Sequence, residues 1–145
     1  MKISTKGRYA LRMMLHLAEY RNDGYIPLRD ISHRQNISKN YLEQIMLLLN
    51  KTDFLQTTRG YQGGYRLAFP PDQYTVGDIL RITEGSIAPV TCAEPVAAEC
   101  TRMETCLART VWQGLEQVIA NYLDNITLQD ILDCSAGEES YTFVI

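Results

Sequence analysis

Apolar residues recur at three- and four-residue steps from Thr5 to about Arg21, where Tyr9, Ala10, Met13, Met14, Leu17 and Ala18 share one helical face. Ser4 or Thr5 caps its start, and Asn22, Asp23 and Gly24 end it. A second, short helix opens at Pro27, whose missing N–H would be unpaired in a first turn anyway. It turns Leu28, Ile31 and Ile37 inward. Asn36 makes the turn, and Ser38 caps a third helix that runs to about Lys51 with Tyr41, Leu42, Ile45, Leu48 and Leu49 as its stripe. Lys39, Asn40, Glu43 and Gln44 are left on the opposite side. Two short helices joined tightly, the second polar on its outer face, form the pattern of a helix-turn-helix.

The period then changes. Phe54–Thr58 and Gly64–Leu67 are β-favouring runs around Arg59-Gly60-Tyr61-Gln62-Gly63, which predicts a hairpin, that is, a wing. After the break at Pro70-Pro71, a fourth helix spans about Thr75 to Glu84, with Val76, Ile79, Leu80 and Ile82 apolar and Gly85 as its stop. Residues 86–104 read as irregular. A long helix follows from about Thr105 to Asn125, then a short one, Leu128 to Leu132, and a tail. Leu107, Val111, Leu115, Val118, Tyr122 and Ile126 recur at steps of three and four along the long helix, which fits either a two-helix seam or packing on the chain's own body. The seam is preferred, because so long a helix overhangs a small winged domain. The expected architecture is mainly α with a small β-wing: a winged helix-turn-helix domain (1–84), a cysteine-bearing loop (85–106), and a dimerisation helix with the C-terminal tail (107–145).

Charge sharpens this picture. The net charge of −3 conceals a basic front, with 11 Lys+Arg against 5 Asp+Glu in residues 1–67, and an acidic rear, with 3 against 12 in residues 68–145. A basic front suggests that it meets a polyanion. No apolar run approaches the roughly 18 residues of a membrane span, and the start lacks the apolar stretch of a secretory signal, so the expectation is a cytoplasmic protein. No nucleophile motif, phosphate loop or acid–base carboxylate pair stands out, so the chain is not read as an enzyme.

Reading base edges in a major groove takes polar side chains near the start of an exposed helix, and Ser38, Lys39, Asn40, Glu43 and Gln44 are placed for it. Asn and Gln pair with adenine, and Glu accepts from cytosine. At the wing tip Arg59, beside Gly60, suits the negative potential of a narrow minor groove. Lys6 and Arg8, near the start of the first helix, suit phosphates, which position but do not specify. Cys92, Cys100 and Cys106 are spaced C-x7-C-x5-C at the entry to the long helix. Three converging thiolates can hold iron–sulfur or zinc, yet a cluster usually takes four ligands. Arg109, one turn after Cys106, cannot ligate. Cys134, a carboxylate or a partner subunit would have to supply the fourth. The other reading is three partly buried or redox-reactive thiols. His16 and His33 have no ligand neighbour at a metal spacing and are read as structural.

These motifs together resemble the Rrf-two family of bacterial winged-helix transcription regulators. The residues carrying the resemblance are Met1-Lys-Ile-Ser-Thr-Lys-Gly-Arg-Tyr-Ala-Leu-Arg12, Ile37-Ser38 with Tyr41-Leu42-Glu43-Gln44, Arg59-Gly60 through Gly63-Gly64-Tyr65, Thr75–Leu80, and Asn125-Ile126-Thr127-Leu128. The resemblance covers nearly the whole chain. It implies a homodimer crossed through the long helix and bound to a roughly palindromic double-stranded operator. It places Ser38, Asn40, Glu43 and Arg59 where the family touches DNA. It likens Cys92, Cys100 and Cys106 to the three ligands of the branches with a two-iron or four-iron sulfur cluster. Two departures follow: the first cysteine gap is longer than in those branches, and Arg109 and Arg8 occupy the positions of their fourth ligands, a histidine or a partner's aspartate. The tail from Gly137 to Ile145 instead resembles a branch that represses cysteine metabolism and lacks the cysteine set. The expected function is a dimeric regulator, a repressor, whose operator affinity is tuned by the cluster. The alternative is a cluster-free regulator of sulfur metabolism controlled by thiol oxidation or by a protein partner such as a cysteine-synthesis enzyme. A third reading, an electron carrier or redox enzyme, would leave the basic helix-turn-helix idle.

Overall fold

A computed structural model describes residues 2–94, 100 and 102–137. Six helices and one hairpin follow in the order α1 (Thr5–Glu19), α2 (Leu28–Gln35), α3 (Lys39–Leu49), β1 (Leu55–Thr58), β2 (Gly64–Leu67), α4 (Val76–Glu84), α5 (Arg109–Asp124) and α6 (Leu128–Ala136). The fold is mainly helical with a small β-wing, as the hydrophobic pattern predicts.

The helix ends follow local chemistry. Ser4 caps α1 by accepting from the Gly7 amide, Ser38 caps α3 by accepting from Tyr41, and Thr75 caps α4 by accepting from Asp78. Asn36 takes the left-handed conformation that turns α2 into α3, at φ 52°, a geometry Asn tolerates better than most residues. Thr127 and Asp130 form a reciprocal capping box on α6. The two carboxylate hydrogen bonds of that box hold the Asp130 pKa below its ordinary value.

The main core is built from the apolar face of α1 (Ala10, Met13, Met14, Leu17) against Ile31 of α2, Leu42, Ile45, Met46 and Leu49 of α3, and Ile79 of α4. Tyr9 of α1 meets Tyr41 of α3 edge-on at 5.8 Å. Arg12 ties α1 to the end of α2 by donating to the Gln35 carbonyl at 2.7 Å. Tyr74 is wholly buried beneath the wing. Its hydroxyl donates to the Phe54 carbonyl and accepts from the Phe69 amide, both at 2.8 Å, so the buried polar atom is satisfied. Burial raises its pKa.

A second, smaller cluster joins α4 to α5: Val76, Leu80, Ile87 and Ile126 are buried, with Ile119 and Leu123 of α5 packed against them. Arg81 of α4 grips Asp124 of α5 bidentately at 2.6 and 2.8 Å. That hydrogen bond leads the causes that raise the Arg81 pKa. A backbone bridge between Thr75 and Thr127 closes the joint.

Two boundaries and one burial assignment differ from the pattern. The long helix begins at Arg109, not Thr105; residues 102–105 are in turns, and Ala108 provides no side-chain cap. The last helix continues to Ala136, past Leu132. On α3, Met46 is buried, whereas Leu48 is only half-buried. The tail from 138 onward lies outside the described residues. No helix among the described residues is long and apolar enough to cross a membrane.

Candidate nucleic-acid interface

Burial of Leu42, Ile45, Met46 and Leu49 turns the other side of α3 outward. Ser38, Lys39, Asn40, Glu43 and Gln44 are all exposed at or near its N-terminal end. Lys39 and Glu43 are one turn apart and pair loosely, Nζ to Oε1 at 3.6 Å, with both side chains more than half exposed. Such a surface pair is worth only about 0.3–0.5 kcal/mol, so a base edge or a phosphate can compete for either partner. Leu47 continues the same face at 65% exposure. In the sequence it is hidden inside the apolar run Ile45–Leu49. An apolar side chain there suits contact with a thymine methyl group.

The wing stands beside this helix. Its strands pair antiparallel with Leu55 opposite Leu67 and Thr58 opposite Gly64. Ile26 adds one rung to β2 from outside the hairpin, exchanging both backbone hydrogen bonds with Tyr65 at 2.9 Å. This rung fixes the wing to the entry of the helix-turn-helix. It demands a glycine at 64, because a Cβ there would run into the Ile26 carbonyl. Gly60 turns the tip at φ +108°, a conformation closed to ordinary side chains. Arg59 and Gly60 are exposed at the tip, and Tyr61 is 99% exposed. Arg59 has no ion-pair partner among the described residues. Tyr61, fully exposed beside Arg59, is a second feature that the sequence does not single out.

The start of α1 is less open. Ser4 donates to Glu84 Oε1 at 2.6 Å, so a carboxylate of α4 already occupies the positive end of this helix. Arg8 remains exposed and donates to Thr5 Oγ1 at 3.0 Å; Lys6 is half-buried.

His16 is buried between α1 and α2, with the Gln35 amide nitrogen 3.4 Å from its Nδ1 and the Tyr20 ring 4.6 Å away. Its Nε2 has no partner. Desolvation, then the Arg34 charge, lower its pKa. Its surroundings are those of a core histidine.

All four cysteines are free thiols. Cys92 is half-buried in a 3-10 turn over Thr91–Ala93, Cys100 and Cys106 are exposed, and Cys134 is half-buried on α6. Residues 95–99 and 101, which link the first three, lie outside the described residues. Among the described residues no three His, Cys, Asp or Glu side chains are gathered to hold a metal ion. Arg109 donates to the Met103 carbonyl at 3.4 Å, and its Nε is buried without a partner. A guanidinium cannot ligate, so Arg109 supplies no fourth donor beside Cys106.

Past the cysteine segment, Val111, Leu115, Val118 and Tyr122 form an apolar stripe on α5 that is 41–62% accessible, and Leu107, 92% exposed, precedes the helix; Ile126, expected on the same seam, lies past Asp124 and is instead buried in the chain's own second cluster.

Comparison with known proteins agrees with this geometry. The family model described as Rrf2, iron-dependent transcriptional regulator, matches residues 3–134. The HTH-type transcriptional regulator CymR of Bacillus subtilis is 38% identical over 146 aligned positions, covering 100% of both chains. The HTH-type transcriptional regulator IscR of Aliivibrio salmonicida is 38% identical over 132 positions, covering 91% of this chain and 77% of that protein. Among solved structures, that of CymR, the global cysteine regulator of B. subtilis, superposes with a TM-score of 0.75 at 37% identity, covering 92% of this chain and 97% of that one. The structure of IscR from T. potens superposes at 0.76 with 34% identity, covering 97% and 93%.

Proposed function

The chain belongs to the Rrf2 family of DNA-binding transcription regulators and is not an enzyme, and from that premise we propose that it works as a cytoplasmic homodimeric repressor that reads a two-fold symmetric operator. The observation that carries the reading is the exposed polar face of α3 beside a wing tipped by Arg59. α3 enters the major groove, where Ser38, Asn40, Glu43 and Gln44 meet base edges and Lys39 meets phosphate. Arg59, with Gly60 allowing close approach, enters the minor groove next to it. Lys6 and Arg8 contribute outlying charge. The apolar stripe of α5 packs on the same stripe of a second copy, and the two-fold axis sets the half-site spacing.

Control lies in the segment from Cys92 to Cys106, which connects the DNA-binding half to α5. Thiol chemistry or a protein partner, without a cluster, is the reading favoured by the exposure of Cys100 and Cys106 and by the full-length match to CymR. A partner of the cysteine-synthesis type would dock on the acidic rear half. The rival reading, a cluster on Cys92, Cys100 and Cys106, requires the segment to close around a fourth ligand from elsewhere.

Selection from a pool of random duplexes tests the DNA reading. The expected product is an inverted repeat with half-sites one helical turn apart or a multiple of it. No enrichment over the starting pool overturns it. Iron and acid-labile sulfide counted after anaerobic purification separate the two modes of control. Matched iron and sulfide that vanish in Cys106→Ala would establish the cluster. A colourless, iron-free protein after reconstitution supports the thiol or partner mode.

A further inference from the structure

Between the wing and the starts of α2 and α3 lies an open cleft of about 500 Å³. Arg29, Lys39 and Arg59 line it, together with Thr57 and Thr58, and no Asp or Glu does. Arg29 belongs to neither the recognition helix nor the wing. It sits in the first turn of α2, with its side chain 77% exposed and only a 3.4 Å contact from Nε to the neighbouring Asp30. So exposed a pair holds the guanidinium weakly.

The shape of B-DNA gives this cleft a role. One sugar–phosphate strand separates a major groove from the adjacent minor groove. A protein with α3 in the first and the wing tip in the second must straddle that strand, which then runs through the space between them. In this protein that space is a cleft with three cations on its walls and the Thr57–Thr58 end of β1, whose side chains alternate across the strand, along one side. Guanidinium, ammonium and hydroxyl groups are the side-chain donors that meet phosphate oxygens. We propose that the cleft seats the DNA backbone between the two grooves and that Arg29 is a phosphate contact there, positioning the protein on the duplex without reading sequence. The proposal rests on the DNA-binding reading above and adds a residue from outside both recognition elements.

The test is binding by fluorescence anisotropy to two duplexes of equal length, the selected inverted repeat and a scrambled sequence, from about 50 to about 200 mM salt. Each neutralised phosphate contributes about 0.9 to the slope of log K against log salt. Arg29→Ala is expected to weaken binding to both duplexes by the same factor and to reduce the slope by about 2 per dimer, one phosphate per protomer. Arg29→Lys, which keeps the charge, is expected to restore the slope. Thermal unfolding, unchanged for so exposed a side chain, confirms that the variants fold. A wild-type slope in Arg29→Ala overturns the proposal, and so does a loss confined to the selected duplex, since that is the mark of a base contact. Wild-type protein that binds neither duplex overturns the DNA-binding reading itself.

Discussion

If a second copy covers the stripe on α5, shaving that stripe weakens the dimer by an amount that burial allows to be worked out. Leu115 is 41% exposed and Val118 52% exposed, so about half of each side chain is still available to a partner. Burial is worth about 0.8 kcal/mol per CH2. Leu115→Ala deletes three carbons and Val118→Ala two, so each change forfeits about 1 kcal/mol once scaled by that exposure. Across a two-fold interface every substitution counts twice, giving about 4 kcal/mol for the double variant, or nearly three orders of magnitude in the dissociation constant. Sedimentation equilibrium over a dilution series measures this directly. Trp112, the only tryptophan and 37% exposed, lies beside the stripe and reports dissociation by a red-shifted emission. Thermal unfolding checks that the body keeps its fold, because Ile119 and Leu123 still anchor α5 against Val76, Leu80 and Ile87 in the double variant. An unchanged monomer–dimer constant in the double variant, or a wild-type chain that is monomeric at tens of micromolar, would refute the assignment of this face.

Other expectations concern the frame that holds the interface. Gly64→Ala should cost about 1–3 kcal/mol, because the new methyl group meets the Ile26 backbone rather than a yielding side chain, and DNA affinity should fall with it; urea unfolding and anisotropy together would show both losses, and unchanged stability would mean that the Ile26–Tyr65 rung is not the wing's anchor. Thr127→Ala removes a cap from α6 and should cost about 1 kcal/mol, read as a lower urea midpoint at constant m-value. His16 has a folded pKa below its ordinary 6.5, through burial first and the Arg34 charge second. Below 6.5 the unfolded chain therefore binds more protons, so the contribution of His16 is intact above that pH and is lost as pH falls through the folded value. His16→Gln should flatten this part of the stability–pH profile, while the Asp130 contribution, from a depressed carboxylate, is lost only in the acid range below about 4; a profile unchanged by the substitution would contradict the burial account.

Features set by local chemistry are legible in the sequence alone. Ser38, Thr75 and Asn36 announce helix ends through their own side chains, and Gly60 and Gly63-Gly64 announce a hairpin. The polar set on α3 is legible because helical periodicity by itself puts it opposite the core. What escapes is either degenerate in pattern or non-local. Five consecutive apolar residues, Ile45–Leu49, leave the phase of the stripe undetermined, which conceals Met46 in the core and Leu47 on the outer face. The Ile26–Tyr65 rung, the Ser4–Glu84 hydrogen bond and the Arg81–Asp124 clamp join residues 39, 80 and 43 positions apart, and no periodicity reports such pairings. Arg29 reads as an ordinary solvated charge in the sequence, and acquires meaning only when the wing closes a cleft in front of it. The predicted start of α5 falls too early because Leu107 continues the apolar spacing, although Ala108 offers no cap and the turns extend to it.

The central claim is that α3 and the wing together grip duplex DNA, and the most direct measurement is the salt dependence of operator binding by wild-type protein and by Arg59→Ala. The account predicts a steep linear fall of log K with log salt for the wild type, tighter binding to the selected inverted repeat than to scrambled duplex, and a narrowed gap between the two when Arg59 is removed. A flat salt dependence, or equal affinity of wild-type protein for both duplexes at every salt concentration, would contradict it.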